Sequence, residues 1–176
     1  MQIRFPASPQ WSWTKSVFTV LAAWLGASLM LDFVVMPSLY WTGMMNSSDF
    51  AGAGYVLFGL TNHFEVLAAA LVLTGLLILI SNGVVTQRDR LATAIQGLTL
   101  LSIALFYTYC LTPAMSALAL SLDGSSVIEV TRAMNILQGE YWALELIKFT
   151  ILALLISRFS LLLFPLTKPQ QTNSYR

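Results

Sequence analysis

The stretch VLAAALVLTGLLILI, residues 66–80, decides the fold class. Only Thr74 and Gly75 interrupt its aliphatic side chains, and it lacks the two-residue alternation of a membrane barrel. A helix needs roughly 20 mostly apolar residues to cross hydrocarbon. Working outward, four segments satisfy that length: about 17–42, 52–81, 91–120 and 130–157. The expected fold is all-α, a four-helix transmembrane bundle over residues 17–165. A cytoplasmic N-terminal segment (1–16) precedes it and a polar cytoplasmic tail (166–176) follows.

Composition agrees with this reading. Of 176 residues, 57% are hydrophobic and only 10% charged, against about 25% charged in a soluble domain. So few charges do not cover a soluble surface, and the lipid bilayer is the expected partner. The net charge of +1, without a dense basic cluster, argues against nucleic acid. Cys110 is the lone cysteine, which excludes an internal disulfide. Arg4 and Lys15 precede an apolar run from Val17 in the manner of a signal peptide. That run continues to about Trp41, beyond a ~7–15-residue signal core, so a retained first helix is expected.

Basic residues orient the bundle. Arg4 and Lys15 precede helix 1, Arg88 and Arg90 separate helices 2 and 3, and Arg158, Lys168 and Arg176 follow helix 4; Arg132 alone stands opposite. The positive-inside rule then puts both termini in the cytoplasm, in a multi-pass protein of a bacterial inner membrane. Trp11 and Trp13 on the inner side, with Tyr40 and Trp41 on the outer, suit interfacial anchors or simple packing. Asn46-Ser47-Ser48-Asp49 offers an N-cap for helix 2. Ser126-Val127-Ile128-Glu129 has capping-box spacing for helix 4, after the turn signal Asp123-Gly124. Helices 2 and 4 then exceed the hydrocarbon thickness and must tilt or protrude.

The two halves look related. Pro37 followed by His63-Phe64-Glu65 matches Pro113 followed by Gln138-Gly139-Glu140, with a one-residue slip in the outer loop. Two spans per half give two tandem parallel two-helix repeats.

Ionisable residues inside the spans carry the functional signal, because a charge in hydrocarbon costs at least a few kcal/mol. Counting helical rise from the cytoplasmic anchors gathers Asp32, Asn62, His63, Glu65, Thr108, Gln138, Glu140 and Glu145 into a polar layer of the outer leaflet, with Lys148 near the midplane. Asn62 and Glu65 share a helix face, as do Gln138, Glu145 and Lys148, whereas His63 and Glu65 point apart. Glu145 and Lys148 stand three residues apart and can neutralise one another. Asp32 has a neighbouring helix to bond, through Thr108, Tyr109 or His63. Glu65 and Glu140 can instead be wet interfacial groups.

His63 is the only histidine, which excludes a bis-His haem and an intrachain His-cluster metal site. Haem or copper at His63 would need another ligand type, such as Met, Tyr or a nearby carboxylate. No cofactor and no metal site is expected; a hydrogen-bonded, proton-carrying imidazole is the preferred role. Pro37 and Pro113 can end or kink helices 1 and 3 and free carbonyls toward the polar layer. The small-residue stretches Gly26-Ala27-Ser28 and Ala51-Gly52-Ala53-Gly54 allow close helix contact. Phosphate-loop, His-Glu-x-x-His, Gly-x-Ser-x-Gly and Cys-x-x-Cys patterns are absent, and no enzyme is expected.

The segment from Gly26 through Phe33-Val34-Val35-Met36-Pro37, then Phe58-Gly59-Leu60-Thr61-Asn62-His63, resembles the four-helix membrane family called domain of unknown function 4149, which has a transmembrane-protein-205-like branch. The Pro113 segment and Asn135-Ile136-Leu137-Gln138-Gly139 resemble that family's second half. The likeness covers about residues 20–157 and implies four spans. The family often carries a histidine where this chain has Gln138, which puts in doubt any role that needs two imidazoles here.

The expected function is transport or permeation of a proton, ion or small solute through this polar cluster, by a homo-oligomer, since a single four-helix chain rarely encloses a pore. The alternatives are an accessory or assembly subunit of a larger membrane complex, or a haem- or copper-binding membrane protein.

Overall fold

A computed structural model describes residues 9–42, 50–120 and 127–164. Every regular element among them is helical. Helix α1 (Pro9–Met30) runs through a π turn (Leu31–Val35) into α2 (Met36–Trp41). The long α3 (Phe50–Ser81) follows. Then α4 (Arg90–Phe106) passes through a second π turn (Tyr107–Leu111) into α5 (Thr112–Leu120), and α6 (Val127–Leu163) completes the set. Four of the resulting rods are long and apolar enough to cross a membrane: Trp13–Trp41, Gly54–Ser81, Gln87–Ala119 and Arg132–Leu163. This is a membrane protein built as a helical bundle.

The helices begin earlier or end later than hydropathy alone suggests, where the extra turns bury side chains. Thr14 is buried ahead of position 17, and Phe159 and Leu163 are buried beyond position 157. Helix α3 has 32 residues and α6 has 37, so at about 1.5 Å per residue both exceed the hydrocarbon thickness. The cap at 46–49, Ser126 of the second cap, the turn at 123–124, Arg4 and the 166–176 tail lie outside the residues whose placement is described.

Neither proline ends its helix. Each π turn stops two residues before one, Pro37 or Pro113. Proline lacks an N–H and its ring crowds the carbonyl four residues back. The wider turn absorbs that conflict: Met36 N–H bonds the Leu31 carbonyl and Thr112 N–H bonds the Tyr107 carbonyl, each five residues back. The Ser38 hydroxyl, 2.6 Å from the Val34 carbonyl, gives that acceptor an extra donor.

Spatial neighbours follow chain order, α1 against α3, α3 against α4 and α5, and α4 and α5 against α6, while α1 closes the ring on α6. Cross-helix bonds fix alternating directions. Ser28 meets Glu65, and Tyr141 meets Asp32, at one level. Arg158 reaches Thr93 and Asp89 at the other end. One end therefore carries Lys15, Arg88, Arg90 and Arg158 (the Arg158 end), and the opposite end carries Pro37, Pro113 and Arg132 (the Pro37 end). Trp13 lies near the former, Tyr40 and Trp41 near the latter, all three exposed as interfacial anchors are.

At the Arg158 end α3 stops in a Schellman turn. Gly83, at φ +74°, lets its own N–H bond Ile80 while Val84 N–H bonds Leu79. Above that turn Leu21, Val72, Leu76, Leu100, Leu152, Leu155 and Phe159 fill a dry core. The close approaches at glycine fall outside the small-residue stretches. A Cβ on Gly26, Gly52 or Gly54 would meet nothing, whereas one on Gly75 would strike Val17 and one on Gly97 would press Leu73 and Leu76.

Candidate functional site

One turn above that dry core, toward the Pro37 end, the interior becomes charged. Helix α6 presents Tyr141, Glu145 and Lys148 on a single face, the spacing that brings successive turns into line. The lysine stem runs toward the start of its own helix, as helical side chains do. Its ammonium thus meets Glu145 at 2.6 Å and, from α3, Glu65 at 2.5 Å. Ser28 of α1 donates to the same Glu65 oxygen at 2.9 Å. The Tyr107 and Phe149 rings lie 5.4 and 5.7 Å from the ammonium, within cation–π range.

Asp32 sits in the first π turn and accepts the Tyr141 hydroxyl at 2.6 Å. Thr108, Tyr109 and His63, the partners suggested by sequence, are not used by it. Tyr141 is held in turn: its ring leans on Tyr107 at 5.4 Å and on Phe58 at 6.5 Å, and its carbonyl accepts the Tyr107 hydroxyl at 3.2 Å. Both π turns therefore contribute to the site, Asp32 from one and Tyr107 from the other.

The four charged groups are almost sealed: Lys148 and Glu145 are 1% exposed, Asp32 5% and Glu65 6%. That closure makes charge balance decisive. Three carboxyl groups face a single ammonium, and among the described residues no other cation contacts them. One oxygen of each acid (Asp32 Oδ2, Glu65 Oε2, Glu145 Oε2) is buried without a hydrogen-bond partner. Burying uncompensated carboxylates is prohibitive. Neutrality needs two further positive charges, as protons or as a bound cation.

Two cavities reach this cluster from different sides. One, of about 240 Å³, lies toward the Pro37 end and is lined by Asp32, Tyr141, Thr112, Gln138 and Trp142 among others. The second, of about 590 Å³, is a groove between α1 and α3, lined by Trp24, Ser28, Phe64 and Glu65 with aliphatic neighbours. The dry core closes the Arg158 side.

The sequence-predicted residues thus divide. Asp32, Glu65, Glu145 and Lys148 come together. Asn62 is buried beside them, donating to Thr112 at 2.6 Å. Gln138 is exposed but lines the smaller cavity. Three others stand apart. His63 is exposed, with Nδ1 2.6 Å from the Gly59 carbonyl of its own helix. Thr108 bonds the Ala104 carbonyl at 2.8 Å. Glu140 is exposed. Among the described residues no group of three or more metal-type ligands is formed.

Sequence reading missed Ser28, Tyr107 and Tyr141. Ser28 lies one turn before Asp32, and Tyr141 one turn before Glu145, so helical periodicity held a signal for both. Tyr107 carried none, because tyrosine in an apolar run reads as packing.

Comparison with models of known families, with curated proteins and with solved structures finds no match.

Proposed function

We propose that this protein moves protons or small cations across a membrane, with the Asp32–Glu65–Glu145–Lys148 cluster as its binding centre. One observation carries the reading: three sealed carboxyl groups share one ammonium while an oxygen of each lacks a partner. Such a centre is expensive in a low-dielectric interior unless it takes up positive charge. The smaller cavity supplies a route toward Asp32 from the Pro37 end. Tyr141, bonded to Asp32, stands at the boundary between that cavity and the ion pairs.

The rest of the proposal concerns setting. Lys15, Arg88, Arg90 and Arg158 share one end, which the positive-inside rule assigns to the cytoplasm together with both termini. The smaller cavity then opens outward, in a bacterial inner membrane. Matched π turns before Pro37 and Pro113 support descent from two tandem parallel repeats. Membership of the family called domain of unknown function 4149 is part of this proposal, supported by the likeness of the Pro37 and Pro113 segments. Since one small bundle rarely encloses a pore, a homodimer or larger assembly is the working unit.

Purified protein in liposomes, with a pH-sensitive dye inside and imposed proton and cation gradients, tests the reading. Wild-type vesicles should dissipate the gradients faster than empty ones, and Glu65→Gln and Asp32→Asn should each slow that flux at least tenfold. Unchanged flux in both variants would remove the cluster from the mechanism.

A further inference from the structure

The groove between α1 and α3 has a chemistry that the transport of a simple ion does not explain. Its volume, about 590 Å³, is that of a drug-sized ligand site. Its walls include Ala27, Ala68 and Leu71, and its inner wall holds Ser28 and Glu65. Glu65 is over nine-tenths buried, and its Oε2 lacks a partner while Oε1 serves both Lys148 and Ser28. Trp24 and Phe64 also line the groove, and aromatic faces attract cations.

These features select an occupant. A hydrated inorganic ion would have to shed its water against alkyl walls, at great cost. An acyl chain would fill the volume but leave the Glu65 oxygen unpaired. An apolar body bearing one positive charge satisfies both demands, since its skeleton suits the walls and its charge complements an interior that has three acids for one amine.

We propose that the groove between α1 and α3 binds a lipophilic organic cation drawn from the bilayer, in exchange for one proton of the carboxyl cluster. The proposal rests on the transport reading and names its substrate class. The charges balance as follows. One cation arrives at Glu65 Oε2. Lys148, until then shared by Glu65 and Glu145, shifts toward Glu145 and keeps its charge. One carboxyl O–H bond of the cluster breaks, and the proton leaves past Asp32 and the Tyr141 hydroxyl into the smaller cavity. The titratable groups facing this exchange are Asp32 from the α1–α2 rod, Glu65 from α3, Tyr107 from the α4–α5 rod, and Tyr141, Glu145 and Lys148 from α6.

The probe is tetraphenylphosphonium, titrated into the full chain in lipid nanodiscs. Saturable binding of one cation per chain is expected, with about one proton released per cation in weakly buffered solution. The apparent Kd should rise about tenfold for each unit of pH lowered, over the range where the cluster titrates. Glu65→Gln should abolish binding. Ala27→Trp, which fills the groove from an exposed position without altering any charge, should weaken binding at least tenfold and leave thermal unfolding unchanged. If Glu65→Gln does not fold, Ala27→Trp still decides. No binding, binding without proton release, or binding indifferent to Ala27→Trp overturns the proposal. Glu65-dependent proton flux without tetraphenylphosphonium binding would sink the groove and spare the transport reading. Binding with no flux would do the reverse.

Discussion

Lys148 of α6 and Glu65 of α3 join across the bundle, Nζ to Oε1 at 2.5 Å, although each of their two helices packs mainly against α1, α4 and α5. The bridge lies in the interior, with both side chains over nine-tenths buried. Among the described residues Lys148 is also the one ammonium shared by Glu65 and Glu145, so its removal has consequences on two helices.

Lys148→Met should therefore be severely destabilising. Breaking a buried pair by deleting one member costs about 3–5 kcal/mol, because the partner charge is left uncompensated. The double variant Lys148→Met/Glu65→Gln should recover part of that loss. Denaturant titration in detergent micelles measures both, and a double variant no better than the single one would mean that the pair is not coupled.

Tyr141→Phe deletes the donor to Asp32 and should cost about 1–3 kcal/mol, the range for leaving a buried acceptor without its partner. Tyr107→Phe loses a longer bond to a neutral carbonyl and should cost about 0.5–1.5 kcal/mol. The order of the two thermal shifts is the check; the reverse order would put Tyr107 ahead of Tyr141 in holding the site.

Glycine substitutions separate close packing from open space. Gly75→Ala forces a methyl group against Val17, a stiff β-branched side chain, and should cost about 1–3 kcal/mol. Val17→Ala should relieve it. Gly26→Ala meets nothing in the chain and should be neutral in the monomer. A large effect at Gly26, appearing only where the protein self-associates, would locate an interface between copies there.

The proposed orientation is testable by labelling in a Cys110→Ala background. Asn82→Cys, just past α3, and Thr42→Cys, just past α2, are both exposed and lie at opposite ends. In intact cells an impermeant maleimide should label position 42 and spare position 82. The opposite pattern would invert the topology.

Much of this architecture is legible in the residues alone. Apolar length implied four spanning helices, since hydrocarbon admits few other backbones, and the buried acids and Lys148 marked the interior because charge is costly there. Even the shared face of Glu145 and Lys148 follows from helical spacing. Rotation about each helix axis was less legible. His63 and Glu65 are two residues apart on nearly opposite faces, and only packing against α1 and α6 turned Glu65 inward and left His63 outside. The prolines show a similar limit: a missing N–H announces a disturbed helix, but whether the chain ends, kinks or widens depends on what surrounds it.

Local chemistry thus sets where helices form and which side chains hydrocarbon penalises, because those costs are paid residue by residue. Which acids share Lys148, and that Tyr141 caps Asp32, emerged only when four rods chose their neighbours and their rotations together. Such contacts join positions far apart in the chain, and no local periodicity encodes them.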